Sequence, residues 1–89
     1  MRTAPFYGSQ TVTTGVVQVT GSDEKLERGL LVTCYNCVGT VFLGYDGLVN
    51  SGNGYPLTSG QQVVFPLIDP ALLYAVASTG NNVLRFMGL

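Results

Sequence analysis

The chain has no histidine and no tryptophan, and it carries only two cysteines and nine charged side chains in 89 residues. Each shortage excludes something. Without histidine, the commonest general base and neutral metal ligand is missing. Two cysteines fall short of the four ligands of a structural zinc site, unless a second subunit or carboxylates complete the set. No lysine follows Lys25, which removes the Gly-Lys-Ser/Thr core of a phosphate-binding loop. The four basic residues, Arg2, Lys25, Arg28 and Arg85, are scattered and outnumbered by five acidic ones. Nucleic-acid binding needs clustered cations against phosphates and is therefore excluded.

Charged residues make up 10% of the chain and hydrophobic ones 46%, where an ordinary globular domain carries about 25% charged residues. A lone monomer needs a charged skin to stay dispersed. Much of this surface is therefore expected to face other protein, in an oligomer or a larger assembly. A chain this short makes one domain and buries only roughly 60–65% of the surface that it exposes when unfolded. Its first residues, "MRTAPFYGSQ", lack the apolar core of a signal peptide. The uncharged run 47–68 is broken by Asn50, Asn53, Pro56, Gln61, Gln62 and glycines, so it does not read as a membrane helix. The expected setting is a cytoplasm, where thiols stay reduced.

What the chain does have is β-branched and aromatic residues, with turn clusters recurring every 8–12 residues or so. Residues 1–8 read as an extended arm, because Pro5 disfavours helix and strand alike. "SQTVTTGVVQVT" reads as one long strand whose alternation changes phase at Gly15, where a β-bulge is expected. "GSDEKLERG" holds five of the nine charges and reads as a solvated connecting turn. In it Ser22 caps one helical turn, Glu24 and Arg28 stand i, i+4, and Gly29 ends the turn. "LLVTCYN" and "VGTVFLG" read as a hairpin turning near Tyr35–Val38. "QQVVFPLI" is a strand in which Pro66 argues for an edge position or a bulge. "DPALLYAVAS" is a turn at Asp69–Pro70 followed by a buried strand. After a turn at "STGN", "NVLRFMGL" alternates Val83, Arg85 and Met87 on one face with Leu84 and Phe86 on the other. The fold class that follows is all-β. It is a single small β-sandwich or barrel over residues 9–89, of six to seven short antiparallel strands, behind an extended N-terminal arm at 1–8.

Three motifs invite a chemical reading. The stretch Gly44–Gly60 holds five of the twelve glycines. It lacks the third glycine and the helix of a dinucleotide fingerprint. An EF-hand counted from Asp46 puts Leu48, Asn50 and Leu57 at ligand positions. The expected role is a structural connector with two turns, Asp46-Gly47 and Asn53-Gly54, the latter suited to positive φ. Pro56 fixes the chain between Tyr55 and Leu57, which pack back under the loop, and Gly60 closes it. Cys34 and Cys37, in C-Y-N-C, read as two reduced thiols at a hairpin turn, one of them buried. The alternative is a disulfide formed after release into oxidising surroundings. Asp46 and Asp69 are the only carboxylates after Glu27, and each sits beside Gly or Pro, where aspartate is ordinary turn chemistry. An enzyme would need the two together in a cleft. None is expected, and no catalytic, cofactor or metal residue is assigned.

The run from Gly39 to Leu89 resembles small virion proteins and virion-protein modules of tailed bacteriophages. The matching residues are Val41–Gly44, Asn53–Leu57, Gly60–Gln61, Asp69, Leu73–Ser78 and Leu84–Phe86. Such sequences have a strand ending in V-x-hydrophobic-G, an N-G-aromatic-P-L turn, and a strand opened by Gly-Glu or Gly-Gln. An Asp-containing turn, an "LYAIAS"-like strand and a short last strand complete them. Glu stands more often where Gln61 stands here. The resemblance implies a β-sandwich or β-barrel structural part of a virion, assembled in the host cytoplasm, with no catalytic residues. The first expectation is a capsid cement or decoration protein that binds and stabilises the major capsid protein shell, as a homo-oligomer such as a trimer. The arm, with Arg2, Pro5, Phe6 and Tyr7, is expected to lie across a neighbouring subunit, anchored by its aromatics. Alternatives are a head–tail accessory, or a fibre or tail-associated adhesion or glycan-binding module using Tyr45 and Tyr55. Neither nucleic acid nor membrane is an expected partner.

Overall fold

The computed structural model describes residues 7–20, 28–66 and 72–89. These form eight strands: β1 (Tyr7–Val12), β2 (Val17–Gln18), β3 (Leu30–Asn36), β4 (Val41–Gly44), β5 (Tyr55–Leu57), β6 (Gln62–Phe65), β7 (Tyr74–Ala77) and β8 (Asn82–Gly88). They lie in two four-stranded sheets, ordered β1-β8-β3-β6 (sheet A) and β2-β7-β4-β5 (sheet B). All the pairings are antiparallel. The all-β expectation holds. The barrel alternative does not, because among the described residues the strands form two separate four-stranded sheets and no ladder joins one to the other.

The pairings nest. Strand β4 pairs with β5, β3 with β6, β2 with β7, and β1 with β8. The chain is thus one long antiparallel ribbon, its tip at the β4–β5 loop, wrapped so that successive pairs fall in alternating order across the two sheets. Bonds between β3 and β8 and between β4 and β7 complete the sheets. This is the eight-stranded jelly-roll connectivity.

The wrapping explains where the sequence reading was wrong. The phase change at Gly15 is not a bulge within one strand. It is where the chain leaves sheet A after Val12 and enters sheet B at Val17. That break, together with the three-residue β5, makes eight strands rather than six to seven. Nor do β3 and β4 form a hairpin, since they lie in different sheets and residues 37–40 cross between them. Strand β1 begins at Tyr7, so the last two residues of the expected arm are paired in a sheet, Tyr7 with Met87 and Gly8 with Phe86. Residues 1–6, the helical turn expected within 22–28 and the Asp69–Pro70 turn lie outside the described residues, apart from Arg28. The prolines fit their positions: Pro56 is in β5 and Pro66 directly follows β6, both edge strands, where a missing N–H costs no ladder bond.

Alternation fills the space between the sheets. Val12, Leu30, Val32, Cys34, Phe65, Leu84 and Phe86 enter from sheet A; Val41, Leu43, Leu57, Ala75 and Ala77 enter from sheet B, with Val19 and Leu73 beside its strands. Burying such a side chain is worth about 1.5–3 kcal/mol, and this shared core is the main term holding the sheets together.

Among the described residues, one polar side chain beside that core is fully buried. Asn82, the first residue of β8, accepts at Oδ1 from the backbone N–H groups of Val38 and Gly39, at 2.9 and 3.0 Å. Its Nδ2 donates to the carbonyls of Val12, Thr79 and Gly80, at 3.1, 3.0 and 3.3 Å. These partners lie where β1 crosses to β2, β3 to β4 and β7 to β8, so one amide joins three sheet-to-sheet crossings. Asn82→Ala removes five hydrogen bonds, one to a buried and four to part-buried backbone groups, at about 0.5–1.5 kcal/mol each. We expect a loss of about 3 kcal/mol or more. At roughly 4–8 °C per kcal/mol for a domain of this size, calorimetry should show Tm falling by at least about 12 °C. A fall of under about 4 °C would refute this role for the amide.

Candidate interaction surfaces

The glycine-rich stretch is the tip of the ribbon, and its polar groups bond to one another. Asp46 Oδ1 accepts from Leu48 N–H at 2.9 Å, and Asn50 Oδ1 from Gly52 N–H at 2.7 Å. Asn53 Oδ1 accepts from Asn50 N–H at 2.8 Å, and the Asn50 carbonyl from Gly54 N–H at 2.9 Å. The side-chain amides of Asn50 and Asn53 both donate to the Leu48 carbonyl. Val49 is buried beneath the loop, and this burial dictates two glycines. A Cβ on Gly44 would stand 2.8 Å from Val49 Cγ2, and one on Gly54 would stand 2.6 Å from Phe42 Cβ. The positive φ expected at Asn53-Gly54 is absent. The described residues with positive φ are Gly29, Gly60 and Gly80, so Gly54 is required by space and not by backbone conformation. Gly47 has room, with only Tyr74 Cε2 at 3.9 Å.

Gly60, at φ 87°, turns the chain from β5 to β6. Its N–H donates to the Cys34 carbonyl at 2.8 Å, and Cys34 N–H donates to the Gln61 carbonyl at 2.9 Å. Gln61 Oε1 accepts from Thr58 N–H at 2.8 Å. The turn is thereby docked on β3 at Cys34.

Cys34 and Cys37 are joined by a disulfide, against the expectation of two reduced thiols. The reason is local. Register against β8 slips between Cys34 and Asn36, so Tyr35 is an extra residue, a β-bulge. In a regular strand, residues three apart stand about 10 Å apart. Here the Cα atoms of Cys34 and Cys37 are 6.0 Å apart, inside the range that a disulfide spans. The bulge also leaves Tyr35 exposed, with its ring centroid 3.7 Å from the Arg85 guanidinium carbon.

A second aromatic group gathers on Phe65. Tyr45 and Tyr55, from the two ends of the glycine loop, both meet the ring of Phe65 edge-on, at 5.9 and 6.4 Å between centroids. Phe65 is buried, while Tyr45 and Tyr55 are 57% and 53% exposed.

Of the residues singled out from the sequence, Tyr7 lies exposed at the start of β1, while Arg2, Pro5, Phe6 and Asp69 fall outside the described residues. Gly44, Asp46, Gly47, Asn53, Gly54, Pro56 and Gly60 are brought together as the tip loop, β5 and the turn after it. Sequence reasoning passed over Asn82, Phe65, Tyr35 and Arg85. The one available signal was Arg85, a single cation in an otherwise uncharged alternating strand. Among the described residues no three His, Cys, Asp or Glu side chains come together, and no helix is long and apolar enough to cross a membrane.

The bridge closes a loop of four residues, for which chain entropy gives a stabilisation of at most about 2 kcal/mol. Reduction is therefore expected to lower Tm by no more than roughly 8–16 °C and to leave the fold intact. Calorimetry and circular dichroism with and without a phosphine reductant check this, and loss of the β spectrum on reduction at room temperature would refute it. No protein family, no curated protein and no solved structure matches the chain.

Proposed function

We propose that the chain is a structural protein of a tailed-bacteriophage particle, a capsid cement or decoration protein that binds the shell of the major capsid protein as a homo-oligomer, for which a trimer is the working assignment. The observation that carries the reading is the surface. Eleven large apolar or aromatic side chains are exposed among the described residues, on a chain with only 10% charged residues. Such a surface is suited to contact with other protein. The resemblance of residues 39–89 to virion proteins gives the setting. The jelly-roll connectivity supports it by analogy, since that architecture recurs in viral capsid domains, although a fold alone assigns no task. The Cys34–Cys37 bridge fits a protein that works outside a reducing compartment. The role is non-enzymatic, and the particle is assembled in the host cytoplasm. Quantitative mass spectrometry of purified particles of the encoding virus tests this. A copy number near that of the major capsid protein is expected. A few copies would move the chain to a vertex, neck or tail, and absence from particles would overturn the reading.

One observation favours a second reading, an adhesion or glycan-binding module on a fibre or tail. Tyr45 and Tyr55 are half-exposed rings held on one buried Phe65, and jelly rolls also serve as lectin domains. Exposed rings of this kind can stack on the apolar face of a sugar. On this reading Tyr45→Ala and Tyr55→Ala each weaken attachment to host cells at least about fivefold, which is about 1 kcal/mol. Unchanged attachment in both variants would rule it out.

A further inference from the structure

The outer face of sheet A is not uniform. The register of its four strands sets Tyr7, Met87, Leu31 and Val64 side by side in one row, from edge to edge. Tyr7, Met87 and Val64 are exposed and Leu31 is half-buried. The next row on the same face is Ser9, Arg85, Thr33 and Gln62. Between the two rows lies an open depression of about 150 Å³ lined by Leu31, Thr33, Arg85, Phe86 and Met87.

Arg85 stands near the middle of this face with its guanidinium over the ring of Tyr35. Stacking uses one face of the guanidinium and leaves its N–H edge, a fork matched to a carboxylate, free to donate. Among the described residues no carboxylate pairs with Arg85. The one acidic side chain there, Asp46, belongs to the loop beyond sheet B and accepts from Leu48. The stacked ring restrains a flexible side chain in advance, so a partner has less entropy to remove.

We propose that this face is a docking surface for an extended segment of a partner protein that carries one aspartate or glutamate between apolar residues. The carboxylate sits on the Arg85 fork beside Tyr35, and the flanking apolar side chains lie over the Tyr7–Met87–Leu31–Val64 row. Charge decides the occupant. A second copy docked face to face about a two-fold axis brings two Arg85 cations together at the centre of the contact. Nucleic acid would set phosphates against the apolar row with one cation to meet them.

The size of the face sets the strength. Four strands about 4.8 Å apart and up to seven residues of about 3.3 Å long cover about 440 Å². That is near half the about 800 Å² per partner of a stable interface. A single copy therefore binds weakly through this face, and several joined copies bind a repeating surface by avidity.

The inference deepens the assembly reading and rests on it for the partner being a protein, but the two fail separately, because the test needs no particle. A displayed library of random twelve-residue peptides is selected on the immobilised chain. The enriched peptides are then measured against the chain and against Arg85→Glu and Arg85→Gln, each first confirmed folded by its melting curve. Enrichment of peptides with one acidic residue flanked by apolar ones is expected. Their affinity should fall at least about tenfold for Arg85→Glu and by less for Arg85→Gln. No enrichment, enrichment without acidic residues, or equal binding by Arg85→Glu would overturn the proposal. So would a dimer in sedimentation equilibrium that Arg85→Gln strengthens, since relief of repulsion between two Arg85 cations would make the face a self-contact. Absence of the chain from virus particles, with the peptide result intact, would remove the virion reading alone.

Discussion

The side-chain amide of Asn82 is the contact on which the wrapped ribbon depends. Each sheet-to-sheet crossing strips backbone groups of their ladder partners, and here the Val12 carbonyl is buried while the groups at Val38, Gly39, Thr79 and Gly80 are part-buried. A buried N–H or C=O without a partner is costly, and a fully apolar residue at position 82 would supply none. One amide supplies both kinds at once, accepting from Val38 and Gly39 while donating to Val12, Thr79 and Gly80. Its neighbours are shaped to it. Gly80 takes φ 69°, and a Cβ on Gly39 would stand 2.8 Å from Ser78 Oγ. Ser78 and Thr40 bond each other between two of these crossings, through Ser78 Oγ at 3.0 Å and through the backbone at 2.9 Å. Alternation gives the sheets their inner faces, but these polar contacts let the chain change sheets.

Nesting orders the pairings by distance along the chain. The β4–β5 pair closes over a short loop and the β1–β8 pair joins residues from opposite ends of the sequence. Loop-closure entropy rises with separation, so the inner pair is the cheapest to form and the outer pair the dearest. A topology this rich in non-local contacts belongs among the slower-folding domains. The glycine loop, with Val49 locked under Gly44 and Gly54, is in this light the turn from which the remaining pairs can be laid down. The bulge at Tyr35 has a comparable double effect. It brings Cys34 within reach of Cys37 on the inside and sets Tyr35 under Arg85 on the outside.

Much of the inner-face pattern was legible in the residues. Leu30–Asn36 was readable as a strand, and Leu84 and Phe86 as sharing the face opposite Val83, Arg85 and Met87. Alternation tells which side of a strand is buried, but it does not tell which sheet the strand joins. That is why β3 and β4 read as a hairpin and why Gly15 read as a bulge. Asn82 was illegible for a related reason. An asparagine next to the Ser78–Asn81 turn looks like ordinary turn-edge chemistry, and nothing local reveals that Val12 and Val38 meet it. Tyr45 and Tyr55 were picked out as exposed loop residues, while their common partner Phe65 lies in the opposite sheet. The row from Tyr7 to Val64 is set by register among four strands distant in sequence, and it appears only once they are paired.

The pairing of the first strand with the last has a mechanical side. Tyr7 opens β1 directly opposite Met87 near the end of β8, so the chain enters and leaves sheet A at the same corner. A pull applied between those two points loads the antiparallel hydrogen bonds from one end, a pair at a time, and peels β1 away like a zipper. A pull delivered across the faces of the sheets meets the whole core at once. A protein built this way resists load where its sheets are gripped broadside and yields easily where it is tugged by its ends.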